Sequence, residues 1–108
     1  MSAPIRIRLF FEWGGGVLWC GNDAALQRFD VGPAEEKLGL PEALLARLHA
    51  LSAHHDTALN WADPSAPGPW SKADYAEFCT QVEALRAEIA QALGPEFEVV
   101  NAQFDCAE

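Results

Sequence analysis

Ile5-Arg6-Ile7-Arg8-Leu9-Phe10-Phe11-Glu12-Trp13 is the stretch on which the fold turns. Ile5, Ile7, Leu9 and Phe11 alternate with Arg6, Arg8, Phe10 and Glu12. A period of two places the first set on a buried face of a strand and the second on its outer face. Gly14-Gly15-Gly16 follows, then Val17-Leu18-Trp19-Cys20. Glycine adopts the positive φ angles of a tight connection, so the stretch reads as the first arm of a hairpin whose second arm ends at Gly21-Asn22-Asp23. The triple glycine is not read as a phosphate cradle, because no Gly-Lys-Ser/Thr and no helix follow it directly.

Beyond the hairpin, Asn22 or Asp23 is placed to cap a short helix through Phe29. Residues 30–40 read as a connecting loop. Pro41 suits the first turn of a helix, predicted over about 41–61. At about 100° per residue, Leu44, Leu48, Leu51, His55, Ala58 and Leu59 share its inner face. Arg47, His49, Asp56 and Asn60 fall on or near the other side. Three prolines and a glycine between Ala62 and Trp70 exclude helix there. Ser71 with Asp74 resembles a capping box. The helix behind it carries the stripe Tyr75, Phe78, Val82, Leu85, Ile89 and Leu93 and stops at Gly94-Pro95. Phe97 to Asn101 is the last strand, with an extension toward Phe104, and Asp105 to Glu108 read as a frayed end.

The order ββααβ predicts one α+β domain over residues 1–108. Each helix and the sheet have one apolar face, which calls for a two-layer sandwich: a three-stranded sheet with two antiparallel helices on one face. A third strand beside the first, parallel, and one beside the second, antiparallel, both fit the pattern.

Sixteen acidic and seven basic residues give a formal net charge of −9. Such a surface repels phosphate backbones and anionic membranes, which sets aside nucleic-acid and membrane binding and suits a basic protein partner. No stretch approaches the length of a membrane span. The N-terminus does not read as a signal peptide, since Arg6 and Arg8 interrupt its apolar run. Cys20, Cys79 and Cys106 are odd in number, widely spaced and without a CxxC pair, so neither a zinc knuckle nor a thioredoxin motif is indicated. A reducing, cytoplasmic setting is expected, with no need of a disulfide staple in a chain that carries four tryptophans and six phenylalanines.

The densest unusual composition is His54-His55-Asp56 through Asn60-Trp61, Asp63 and Trp70. Adjacent His54 and His55 diverge by about 100° on a helix, so they do not make a metal pair, and no metal or cofactor is expected. His55, in the middle of the apolar stripe, reads as a core histidine. Cys20 lacks a nucleophile signature, and Cys79 flanks the stripe of the second long helix as an ordinary small residue. Among paired carboxylates, Glu35-Glu36 reads as a solvated loop pair, Glu96 and Glu98 as outer-face residues, and Asp56 with Asp63 as a third candidate pair. Trp61 and Trp70 bracket the proline loop, where they either pin it or anchor a partner.

Three segments together, Leu18-Trp19-Cys20-Gly21-Asn22-Asp23, His55-Asp56-Thr57-Ala58-Leu59-Asn60-Trp61 and Leu93-Gly94-Pro95-Glu96-Phe97-Glu98-Val99-Val100, resemble small proteins encoded in high-GC bacterial genomes, without an assigned activity. The resemblance spans most of the chain. It implies no standard enzyme and supplies no site residue.

The leading expectation is therefore a non-enzymatic protein-binding module, immunity- or antitoxin-like at most, that uses its acidic surface on a basic partner. Its binding residues would be His54, Asp56, Asn60, Trp61, Asp63 and Trp70. A second reading is a small-molecule-binding domain or enzyme. Its site would lie around His54, His55 and Asp56, toward the sheet edge carrying Trp19 and Cys20. A third is a homodimer joined through the outer face of the sheet.

Overall fold

A computed structural model describes residues 4–12, 16–103 and 106. Trp13 to Gly15, Phe104, Asp105, Ala107 and Glu108 lie outside the described residues. So does most of the predicted triple-glycine turn, along with the extension toward Phe104. Strand β1 (Ile5–Leu9) pairs with β2 (Leu18–Cys20), helix α1 (Asp23–Phe29) follows, then α2 (Glu42–Asp56), α3 (Lys72–Leu93) and β3 (Phe97–Asn101). The sheet order is β2-β1-β3. Strand β2 runs antiparallel to β1, with Arg8 opposite Trp19, and β3 runs parallel to it, with Ile7 beside Val99. The choice that alternation left open is thus settled in favour of the parallel neighbour.

The alternation of β1 sorts its side chains as read: Ile7, Leu9 and Phe11 are buried, Arg6 and Arg8 exposed. The inner face meets Leu44 and Leu48 of α2 and Phe78, Val82, Leu85 and Ile89 of α3 in one core. Helices α2 and α3 are antiparallel. Arg47 pairs with Glu88 at 2.7 Å near one end, and the His54 ring lies against Trp70, just before α3, at the other. This is the two-layer α+β sandwich expected, with α1 added: Asn22 caps it, its side chain accepting from the Ala25 N–H at 3.1 Å.

Helix α3 opens on a complete capping box. The Asp74 N–H donates to Ser71 Oγ at 3.2 Å, and the Ser71 N–H donates to the Asp74 carboxylate at 2.7 Å. It ends at Gly94, whose φ of 93° is one that residues with a Cβ rarely adopt.

Two expectations are corrected. Cys79 and Cys106 form a disulfide. Cys106, placed in a frayed end by sequence, is therefore fastened to α3, and Cys20 is the free thiol. Glu35, read as solvated, is 7% exposed. Its carboxylate accepts the N–H of Val17 at 3.0 Å and of Leu18 at 2.9 Å. Among the described residues, the outer edge of β2 has no neighbouring strand to receive these donors. Residues 33–35 fill that place, through a bridge between Trp19 and Pro33 and an Ala34 N–H donated to the Leu18 carbonyl at 2.7 Å.

Candidate functional site

The proline loop owes its shape to where α2 stops. Helix α2 ends at Asp56, five residues short of the predicted end at residue 61. The Thr57 N–H turns back to the His54 carbonyl at 3.0 Å, and the Thr57 hydroxyl donates to the same oxygen at 2.6 Å. Trp61 Nε1–H donates to the Asp56 carbonyl at 2.6 Å. The last carbonyls of the helix are thus taken by side chains instead of a further turn. As a result Asp56 and Asn60, read as neighbours four apart on one helix, lie on different elements.

Beyond that stop, Asn60 Oδ1 accepts the Asp63 N–H at 3.1 Å, and the Asp63 carboxylate accepts the Ser65 hydroxyl at 2.7 Å. These contacts order the loop as successive Asx turns before its prolines. Gly68 closes it against the end of α2, with so little room that a Cβ there would lie 1.7 Å from the Ala58 carbonyl oxygen. Trp70 is the pin. Its ring lies tilted against His54 at 4.8 Å and meets Phe78 and Tyr75 edge-on, and its Nε1–H donates to Thr57 Oγ1 at 2.9 Å. Trp61 is held by its one hydrogen bond and remains 58% exposed. The two tryptophans therefore divide the roles that sequence left open: Trp70 packs the loop, and Trp61 presents an aromatic surface to solvent.

His54, Asp56, Asn60, Trp61, Asp63 and Trp70 are thus brought to one end of the helix layer. His55 is not among the exposed groups there. It is buried between Phe78, stacked at 4.9 Å, and Phe11 at 5.8 Å, as a core histidine. The small-molecule reading placed one site between His54 and the Trp19–Cys20 edge. Those groups border different hollows: His54 lines a groove of about 310 Å³ between α2 and α3 with Arg47, Leu51 and Gln81. Trp19 and Cys20 line another, with Arg8 and Phe10. Burial raises the Cys20 thiol above its ordinary value, the opposite of what a nucleophilic cysteine requires. Among the described residues, no group of three His, Cys, Asp or Glu side chains is arranged to hold a metal ion, and no helix is long and apolar enough to cross a membrane.

Charge is distributed unevenly over this frame. The ion pairs Arg6–Glu98, Arg28–Glu96, Arg47–Glu88, His49–Glu36 and Arg86–Glu83 lie on the sheet, on the outer faces of the helices, or where the chain returns to β3. Between His54 and Phe78 the chain carries Asp56, Asp63, Asp74 and Glu77 against the single cation Lys72. The exposed Trp61 thus belongs to an acidic stretch of the chain. The model of the Serratia CdiI immunity protein-like family matches residues 5–103. The chain belongs to that family. Membership agrees with the leading expectation from composition, a non-enzymatic protein-binding module of immunity type. The CdiI-like match runs from the start of β1 to the second residue beyond β3, so it takes in the whole sandwich and the proline loop. No curated protein matches the chain.

Proposed function

We propose that this protein binds a basic toxin and neutralises it by occupying its surface, with the proline-loop end as the contact. The observation that carries the reading is the exposed Trp61 in an acidic stretch of chain that carries Asp56, Asp63, Asp74 and Glu77, in an immunity-protein-like family. Trp61 supplies the rigid aromatic anchor, and its indole is oriented before binding by the Asp56 carbonyl. The carboxylates supply attraction at long range and register at contact. Asn60 and Trp70 hold the loop in shape, and His54 braces Trp70.

The test is affinity capture with the full chain from the source organism, washed at low and then high salt. One stoichiometric basic partner, released by salt and harmless in the presence of the chain, is the expected result. Changing Asp56 and Asp63 together to Lys is expected to weaken that binding at least tenfold, about 1.4 kcal/mol. Unchanged binding by the double variant would remove the loop as the contact.

A further inference from the structure

We infer that two copies of this chain associate through the outer face of the sheet, which no element among the described residues covers, around a two-fold axis that crosses β1 at Phe10. The inference stands apart from the toxin reading, because the proline loop sits on the helix layer and stays open in such a pair.

The outer row along β1 and its continuation reads Arg6, Arg8, Phe10, Glu12. The hairpin ladder extends past the strand, with the Phe10 N–H donating to Val17 at 2.9 Å and the Glu12 N–H to Gly16 at 3.3 Å. Arg6 is satisfied by Glu98 at 2.6 Å. Arg28, Arg47 and Arg86 likewise each have a glutamate. Arg8 does not: among the described residues it has no carboxylate and lies over the Phe10 ring, 5.7 Å from its centroid. Glu12 is exposed and, among the described residues, has no cation. One unpaired positive and one unpaired negative group therefore flank an aromatic ring on the same side of the strand.

That row is complementary to itself when reversed. A two-fold axis lying in the interface and perpendicular to β1 runs the two strands antiparallel. Arg8 and Glu12 each lie two residues from Phe10, about 7 Å along the chain. Arg8 of each copy then faces Glu12 of the other, and the two Phe10 rings meet at the axis.

The surroundings fit such a contact. Phe10 stacks on Trp19 at 5.4 Å, and Trp19 is fixed by donating Nε1–H to the Phe10 carbonyl at 3.1 Å. The register places Val100 beside Arg8. Leu26 and Val31 line the hollow next to Trp19, and Val31 is 73% exposed. Of the four exposed large hydrophobic residues among the described residues, all but Trp61 border this face. For an anionic chain this is also the side where two copies approach without opposing rows of carboxylates. Three short strands offer only about 16 by 15 Å, well below a standard interface, so the expected dimer is weak, with a Kd of roughly tens to hundreds of micromolar.

Sedimentation velocity on the full chain, from about 10 µM to about 1 mM at about 0.15 M salt, tests the inference. The wild type is expected to shift from monomer toward dimer. R8E and E12R are each expected to raise the Kd at least tenfold. An equimolar mixture of R8E with E12R should associate again, since each supplies the charge the other lacks. A wild type that stays monomeric to the top of the range overturns the inference, as do single variants that associate like wild type or a mixture that fails to associate. Should either variant fail to fold by circular dichroism, R8E/E12R replaces it: association like wild type supports the pairing, and a strict monomer overturns it.

Discussion

Replacing Glu35 by Leu removes the acceptor of two backbone donors at the start of β2. The carboxylate lies 3.0 Å from the Val17 nitrogen and 2.9 Å from the Leu18 nitrogen, and the residue is 7% exposed. A hydrogen bond to a charged group contributes about 1.5–3 kcal/mol, and a buried donor left unsatisfied costs about 1–3 kcal/mol. Two such donors place the loss at about 3–5 kcal/mol for E35L. With about 2.1 cal/mol/K per residue of unfolding entropy, a chain of 108 residues loses roughly 4 °C of Tm per kcal/mol. The expected fall is about 13–22 °C. E35Q keeps one acceptor oxygen and turns an NH2 group toward the second donor, so about half that loss is expected. Thermal unfolding followed by circular dichroism reads both variants, and hydrogen exchange at the Val17 and Leu18 amides locates the effect. A Tm for E35L within about 3 °C of wild type would refute the reasoning, because it would mean that water reaches those donors.

Gly68→Ala has no room beside the Ala58 carbonyl, so the proline loop must move; indole fluorescence of Trp61 and Trp70 should change, with partner binding reduced about tenfold or more. Stability should fall in acid. Asp74 is held below the ordinary carboxylate range by the Ser71 backbone and hydroxyl hydrogen bonds, and Glu83 by its hydrogen bond with Arg86. The folded chain then binds fewer protons than the unfolded one, so this stabilisation is present at neutral pH and is lost as pH drops below about 4 through the depressed values. Urea midpoints measured down to pH 3 should show the fall, and S71A should flatten part of it. Reducing the Cys79–Cys106 disulfide, which spans 27 residues, should cost roughly 3.5 kcal/mol on the chain-entropy account. A C106S variant should match the reduced wild type in urea unfolding and be insensitive to reductant.

The parts of the fold that follow from periodicity were legible in the residues. Alternation from Ile5 to Phe11 sorted the faces of β1, and the stripe from Tyr75 to Leu93 with its Ser71–Asp74 cap marked α3 almost to the residue. Features made by contact between distant segments were not. Whether β3 joins β1 or β2 depends on how α2 and α3 carry the chain back, and no local pattern encodes that. Glu35 sits in a loop without periodicity, and its burial follows from an unpaired edge of β2 that is visible only once Pro33 and Ala34 lie against it. Cys79 and Cys106 are too far apart in sequence for their pairing to be read from spacing. The end of α2 was missed because apolar Ala58 and Leu59 continue its stripe, whereas Thr57 and Trp61 intercept its last carbonyls. That stop could have been anticipated from Thr57, whose hydroxyl competes for the helix's own carbonyls. At the proline loop, composition could not separate Trp70, which packs, from Trp61, which faces outward.

The measurement that bears most directly on the central claim is a binding titration of the captured partner with wild type, W61A and the D56K/D63K double variant, each first shown to be folded. The expected result is a one-to-one complex with wild type, neutralisation of the partner at that stoichiometry, and losses of at least tenfold for both variants while their Tm stays within about 3 °C of wild type. A partner bound and neutralised equally well by all three proteins would contradict it.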